Sequence, residues 1–214
     1  LRNRYTGNIS IRYDILKWLS ATAQVSRNSF LNDQTVIVPT GTGWEPTGSM
    51  TVSQSNSREL NSSFLLEVNQ KFGSRFSLHA NAGANYQDNL YTAASTGGSL
   101  DLPRWYSVKN IINHIYDVDY SHSRVNSLLA NADLGFRDYL FLTLTARNDW
   151  FSTLNPETNS YLYPSAALSF VFSDAFKLPA VISFGKLRAS YATSSHGTDP
   201  YKLALSYENV NINY

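Results

Sequence analysis

The chain has 214 residues, 43% apolar and 15% charged, with 17 Lys and Arg against 16 Asp and Glu for a formal net charge of +1. This composition excludes a disordered polymer, and the intermixed charges leave neither a basic stripe for nucleic acid nor an acidic tail. With no cysteine, disulfides and thiolate metal sites are excluded, and with no apolar run near the roughly 18 residues of a membrane helix, any membrane span must be built from strands.

Alternation begins at once. Tyr5, Gly7, Ile9, Ile11 and Tyr13 fall on one row and Thr6, Asn8, Ser10, Arg12 and Asp14 on the other, the period of two that marks a strand. After a break at 15–18, Leu19, Ala21, Ala23 and Val25 oppose Ser20, Thr22, Gln24 and Ser26, which completes a hairpin. A second hairpin runs through Phe64, Leu66 and Val68, a Gly73-Ser74-Arg75 turn, then Phe76, Leu78, Ala80, Ala82, Ala84 and Tyr86. A third sets Leu128, Ala130, Ala132, Leu134 and Phe136 beside Leu140, Leu142, Leu144 and Ala146 across Arg137-Asp138-Tyr139. The fourth takes Ala166, Leu168, Phe170 and Phe172, then, past Pro179, Leu187, Ala189 and Tyr191. Eight strands of about ten residues are expected.

The connections alternate between short and long. Short ones fall at 15–18, 73–75, 137–139 and 173–184; long ones, rich in Ser, Thr, Asn and Gly, at 28–59, 88–123, 148–160 and from 195 onward. Unstructured stretches of about 30 residues are uncommon in compact soluble domains. Short periplasmic turns and long extracellular loops are the layout of an outer-membrane barrel, so the expected fold is all-β, an antiparallel transmembrane β-barrel segment of about eight strands.

The two rows differ in chemistry. The apolar rows carry no Asp, Glu, Lys or Arg, whereas Arg12, Asp14, Glu67, Asp133, Arg147, Lys186 and Arg188 all fall on the opposite row. Lipid enforces that exclusion, because a cation at the bilayer midplane costs about 2–4 kcal/mol; a dry sandwich core would enforce it too. The polar rows are mainly small Ser, Thr and Asn rather than the Lys and Glu of a soluble sheet. Aromatics gather at strand ends, at Tyr5, Tyr13, Trp18, Phe72, Phe76, Tyr86, Phe136, Tyr139, Trp150, Tyr161, Tyr163 and Tyr191, as two headgroup-level girdles would.

No covalent chemistry is legible. His79, His114, His122 and His196 lack any ligand spacing. Asp117-x-Asp119-x-Ser121 imitates a calcium loop, but position six is His122 and position twelve Leu128, not the required Gly and Glu; a solvated loop is expected, with a weak cation site among His114, Asp117, Asp119 and His122 as the alternative. Gly41-Thr42-Gly43-Trp44 lacks the following Gly or Lys-Ser/Thr of a nucleotide loop and reads as a loop tip. Carboxylate pairs for glycoside hydrolysis cannot be assigned. The expectation is no enzyme, no metal and no cofactor. The loop aromatics Trp44, Trp105 and Tyr106 are candidate stacking surfaces for a sugar or peptide, the alternative being burial within a folded loop. Arg147, Lys186 and Arg188 are expected to face the lumen, either paired with lumen or plug carboxylates or as solvated wall charges.

Three ordered motifs are more specific. Thr145-Ala146-Arg147-Asn148-Asp149-Trp150, then Tyr163-Pro164-Ser165, then Phe184-Gly185-Lys186-Leu187-Arg188-Ala189-Ser190-Tyr191 resemble the barrel of SusC/RagA-type TonB-linked outer-membrane proteins. The likeness is specific over about 140–201 and general elsewhere. It implies a plugged barrel of roughly 22 strands in the outer membrane, surrounded by lipid and capped by a SusD-like surface lipoprotein. It also implies import of oligosaccharide or peptide, driven by TonB through a plug region. Residues 1–214 are expected to be part of the barrel domain alone, with the plug, the carboxypeptidase-like domain and the TonB box lying outside them.

Two rivals stand beside this reading: a passive or structural barrel closed by eight strands, and a soluble β-sandwich binding module. The terminal alternation Val210, Ile212, Tyr214 looks like the last strand of a barrel. Loop parity, however, puts everything after 195 on the long-loop side, so a break in mid-protein is expected.

Overall fold

The computed structural model describes residues 1–179, 182–195 and 197–203; His196 and the Val210, Ile212, Tyr214 alternation lie outside them. The strands are β1 (Arg2–Leu16), β2 (Leu19–Val38), β3 (Ser49–Phe72), β4 (Phe76–Ser99), β5 (Ile115–Phe136), β6 (Leu140–Phe151), β7 (Ser160–Phe170) and β8 (Leu187–Ala192), with a short helix α1 (Phe172–Ala175) between the last two. They form one sheet in the order β1-β2-β3-β4-β5-β6-β7-β8. Each strand thus pairs with its sequence neighbours, as a meander of hairpins requires. All eight expected strands are present.

Their lengths correct the expectation of about ten residues: β2 has 20, β3 and β4 have 24 each, and β5 has 22. The supposed loop 28–59 is therefore mostly strand, leaving only 39–48, and 88–123 shrinks to 100–114. Stretches such as Ser55-Asn56-Ser57 in β3 carry polar side chains on both rows, so they lack the apolar period by which a strand is recognised. Their backbones are nonetheless held in the ladder. Phe172, placed with the fourth hairpin by its spacing, opens α1 instead; Asp174 N–H returns to the Val171 carbonyl at 3.2 Å, turning the chain out of the sheet.

Between β5 and β6 the turn follows the sequence closely. Arg137 (φ 51°) and Asp138 (φ 59°) both adopt the left-handed conformation that a type I′ hairpin turn needs, and Tyr139 N–H bonds the Phe136 carbonyl. The resulting register pairs Phe136 with Leu140, Leu134 with Leu142, Ala132 with Leu144 and Ala130 with Ala146. It continues through β7 and β8, so that Leu134, Leu142, Leu168 and Ala189 form one row. One residue along, Asp133, Thr143, Ala167 and Ser190 form the next row, on the other face.

The chain divides into two compact units. The first comprises Leu1–Asn8, Ser26–Asn61 and Asp88–His122; the second, Ile9–Val25, Ser62–Gln87 and Ser123–Tyr214. The first is centred on Leu100, fully buried, and Ile111, which bridge across the 100–114 connection.

The second unit has an inverted burial pattern. Along β7 the apolar residues Leu162, Ala166 and Leu168 are exposed while Tyr163, Ser165, Ala167 and Ser169 are half-buried. Leu128, Leu144, Leu187 and Tyr191 are likewise exposed, whereas Ser127 (2%) and Asp149 (7%) are buried. Val171 is the only buried hydrophobic residue described in this unit. Hydrogen bonds hold the polar face: Thr143 donates to Asp133 at 2.5 Å, Asn131 to the same carboxylate at 3.1 Å, and Thr145 bonds Ser165.

At the short-turn ends the rings of Phe76, Phe136, Tyr139, Phe170 and Phe176 follow one another at centroid spacings of 5.0–6.1 Å, which joins three of the strand-end aromatics to two rings beyond them. Tyr161 and Tyr163 depart from the expected girdles. Their positions opposite Asp149 and Arg147 put both on the polar row, because a shift of one residue along a strand reverses the face.

Candidate functional site

The aromatic candidates all lie in the first unit, on two connections sewn together by hydrogen bonds. In 39–48, Thr42 Oγ1 donates to the Pro39 carbonyl at 2.7 Å and Glu45 N–H to the Thr42 carbonyl at 3.0 Å, which sets Trp44 at the third position of a β-turn. Gly48, at φ 82°, closes the loop; a Cβ there would stand 2.8 Å from the Val38 carbonyl. Trp44 is 82% exposed.

Asn110, 3% exposed, organises 100–114. Its side-chain amide donates to the carbonyls of Leu102 and Trp105, each at 2.7 Å, and its Oδ1 accepts from Leu102 N–H at 2.9 Å. Every polar atom of that amide group is thus satisfied within one loop. Thr40 joins the two connections: Arg104 N–H donates to its Oγ1 at 3.0 Å and its own N–H donates to the Tyr106 hydroxyl at 3.3 Å. Ser99 Oγ donates to Glu45 at 2.6 Å. Trp105 remains 51% and Tyr106 38% exposed. The loops are folded, with Trp44 the most exposed of the three rings and Tyr106 the least. The bonds hold Trp105 by its carbonyl and Tyr106 by its own hydroxyl.

In the His114-to-His122 cluster, His114 ends the 100–114 connection and Asp117, Asp119 and His122 lie at the start of β5. Period two sends His114, Tyr116 and His122 to one face and Asp117 and Asp119 to the other, and among the described residues no group of three His, Asp or Glu could hold a metal ion. His122 Nε2 instead lies 2.9 Å from Asp88 Oδ2, while Arg58 Nη2 donates to Oδ1 at 3.1 Å. This buried carboxylate ties β3, β4 and β5 together. Neither Asn110 nor the Arg58–Asp88–His122 group was foreseen, because a single Asn or Asp in a polar stretch carries no periodic signal.

The three candidate cations lie in the second unit. Arg147 Nε donates to Asp149 at 2.7 Å and Nη2 to Ser127 at 3.2 Å, so it is held by its own row. Arg188 pairs in register with Ser169, on the same polar face. With Lys186, Phe141 and Thr143 it lines a hollow of about 490 Å³. Towards the short-turn ends, Arg12 donates to Asp14 at 3.2 Å and to Glu67 at 3.3 Å, and His79 stands 4.0 Å from Glu67. By register, Asp133, Arg147 and Arg188 lie on one face of β5 to β8.

A meander whose exposed rows are apolar and whose half-buried rows are polar, with turns and loops alternating, is a segment of a transmembrane β-barrel wall. Among the described residues no helix is long and apolar enough to cross a membrane.

No family model matches the chain. Over 94% of its length it is 24% identical to a TonB-dependent receptor of Formosa agariphila, of which it spans 22%. Its fold matches 23% of a chain in the structure of the RagAB peptide transporter, with a TM-score of 0.76 at 14% identity over 89% of this chain. The RagAB peptide importer gives similar matches over the same share of this chain: TM-score 0.76 and 14% identity in its open-open state, with 22% of that chain covered, and 0.73 and 13% in its closed-closed state, with 23% covered. Sequence likeness to a TonB-dependent receptor and fold likeness to the RagAB structures thus extend along nearly the whole chain, which spans less than a quarter of these relatives.

Proposed function

We propose that this chain forms one arc of the barrel wall of a TonB-dependent outer-membrane importer of the SusC/RagA type, which takes up oligosaccharide or peptide. The observation that carries the reading is the inverted burial of the second unit, where Leu128, Leu144, Leu162 and Leu168 are exposed and their polar neighbours are covered. Water penalises such a surface and hydrocarbon favours it. A β-sandwich would bury the apolar rows against a second sheet, and the described strands form one sheet. A barrel closed by eight strands would pair β1 with β8, and among the described residues each pairs on one side only.

In this reading Trp44, Trp105 and Tyr106 offer flat apolar faces to the ligand at the loop side, where a SusD-like lipoprotein would deliver it. Arg147, Lys186 and Arg188 line the inner wall towards the plug through which TonB acts. The relatives' names support transport rather than catalysis, and no reaction is assigned.

The test is uptake of labelled oligosaccharide and labelled oligopeptide by cells expressing the whole protein, with and without functional TonB. Energy-dependent uptake of one class, reduced at least tenfold by Trp44→Ala with Trp105→Ala at unchanged outer-membrane levels, is the expected result. Uptake that is indifferent to TonB would overturn the importer reading. Recovery of the protein in the aqueous fraction without detergent would overturn the membrane reading.

A further inference from the structure

The exposed face of the second unit is not uniformly rough. Two hollows, of about 390 and 450 Å³, adjoin on it and share Phe64, Ala84 and Leu128. Their floor is made of small residues on successive strands: Ala82 and Ala84 on β4, Ala130 on β5 and Ala146 on β6, the last two directly paired. Phe64, Leu128 and Leu162 stand around it, 48%, 55% and 62% exposed. No Asp, Glu, Lys or Arg lines either hollow.

One end of this trough is chemically different. Asn126, Trp150 and Ser160 form one row across β5, β6 and β7, next to the row of Leu128, Asn148 and Leu162. Asn126 and Trp150 line the first hollow and Asn148 the second. Asn148 and Ser160 exchange hydrogen bonds at 2.9 and 3.3 Å. This end thus carries amide and hydroxyl side chains, Asn148 and Ser160 bonded to each other, and an indole, all uncharged, beside a hydrocarbon floor.

We infer that this trough is a discrete site for one membrane lipid, its acyl chain lying over the alanine floor and its ester, amide or sugar hydroxyl groups meeting Asn126, Asn148 and Ser160. The inference rests on the membrane-wall reading above and adds to it a specific occupant. Continuity with the apolar rows makes hydrocarbon the medium on this face. The neutral rim matches the hydrogen-bonding backbone of a lipid rather than its phosphate, which would call for Arg or Lys. Trp150 sits at the join of the two chemistries, as interfacial indoles do.

The experiment is native mass spectrometry of the whole protein, extracted in mild detergent and progressively delipidated. One lipid should outlast the rest in the wild type. Its retained fraction should fall at least tenfold in Ala130→Trp and Ala146→Trp, which fill the floor, and stay unchanged in Ala166→Trp, on the same face outside both hollows.

Equal retention in all variants, absence of any persistent lipid, or a dimer mass abolished by the same two substitutions would each overturn the site, the last in favour of a second copy. Should the floor variants fail to fold, brominated lipid supplies an independent reading on a variant keeping Trp150 as its sole tryptophan. Quenching that saturates at low mole fraction supports the site; quenching that only tracks bulk composition refutes it. A protein that pellets with outer membranes yet retains no lipid sinks the site alone, whereas a protein soluble without detergent sinks the membrane reading beneath it.

Discussion

Ala166 and Ala167 are consecutive, chemically identical and on opposite faces of β7. Ala166 lies between Leu144 and Tyr191 on the exposed apolar row, and Ala167 between Thr143 and Ser190 on the polar row. Changing each in turn to Arg tests which face meets lipid. At position 166 the guanidinium would enter the hydrocarbon near the middle of its strand, at a cost of about 2–4 kcal/mol, or roughly 30- to 700-fold in the folding equilibrium. At position 167 the polar row can solvate the charge, which leaves only the crowding of a larger side chain, at about 1 kcal/mol. The assay is denaturant unfolding of the whole protein in lipid vesicles, read by heat-modifiable electrophoretic mobility. A larger loss from Ala167→Arg would invert the assigned faces. Equal small losses would show that the apolar rows do not face lipid at all.

Three further outcomes follow from named contacts. Asn110→Ala removes three side-chain hydrogen bonds from a buried site and leaves the Leu102 and Trp105 carbonyls without that partner, at about 1–3 kcal/mol of local stability; hydrogen exchange across 100–112 should speed up while β6 and β7 keep their protection. Asp88→Ala deprives Arg58 and His122 of a carboxylate bonded at 3.1 and 2.9 Å. The expected loss is about 1–3 kcal/mol, because Arg58 is partly solvated, and limited proteolysis should then cut near 39–48 and 100–114 sooner. Finally, the hydrogen bond and charge of Lys202 hold the Asp199 carboxyl below its ordinary 3.8. The contact is therefore complete above that value and is lost as pH falls through the depressed one, and Lys202→Ala should return Asp199 to ordinary titration in carboxyl carbon spectra.

How much could be read in advance differs by element. The third hairpin was legible as two apolar rows and the 137–139 connection between them, while its residue pairs, such as Leu134 with Leu142 and Ala130 with Ala146, were set by how that connection closes. The far part of β3 was not, because Ser55, Asn56 and Ser57 offer no contrast between faces and a ladder needs only backbone. Trp44, Trp105 and Tyr106 were singled out as candidates from residue type alone. Asn110, which holds Trp105 in place, was missed, since its role depends on a loop closing around it.

What the sequence by itself determined is the alternation: eight strands, their chemical faces, the order of turns and loops, and the motifs between Thr145 and Tyr191. Alternation, however, is symmetric, as true of a sheet packed on a dry core as of one facing lipid. What separates them is tertiary: Leu128, Leu144 and Leu168 are exposed while Ser127 and Asp149 are buried, and the membrane-wall proposal rests on that pattern. The physical reason is that burial depends on what lies across the sheet, and no local period in a chain carries that information.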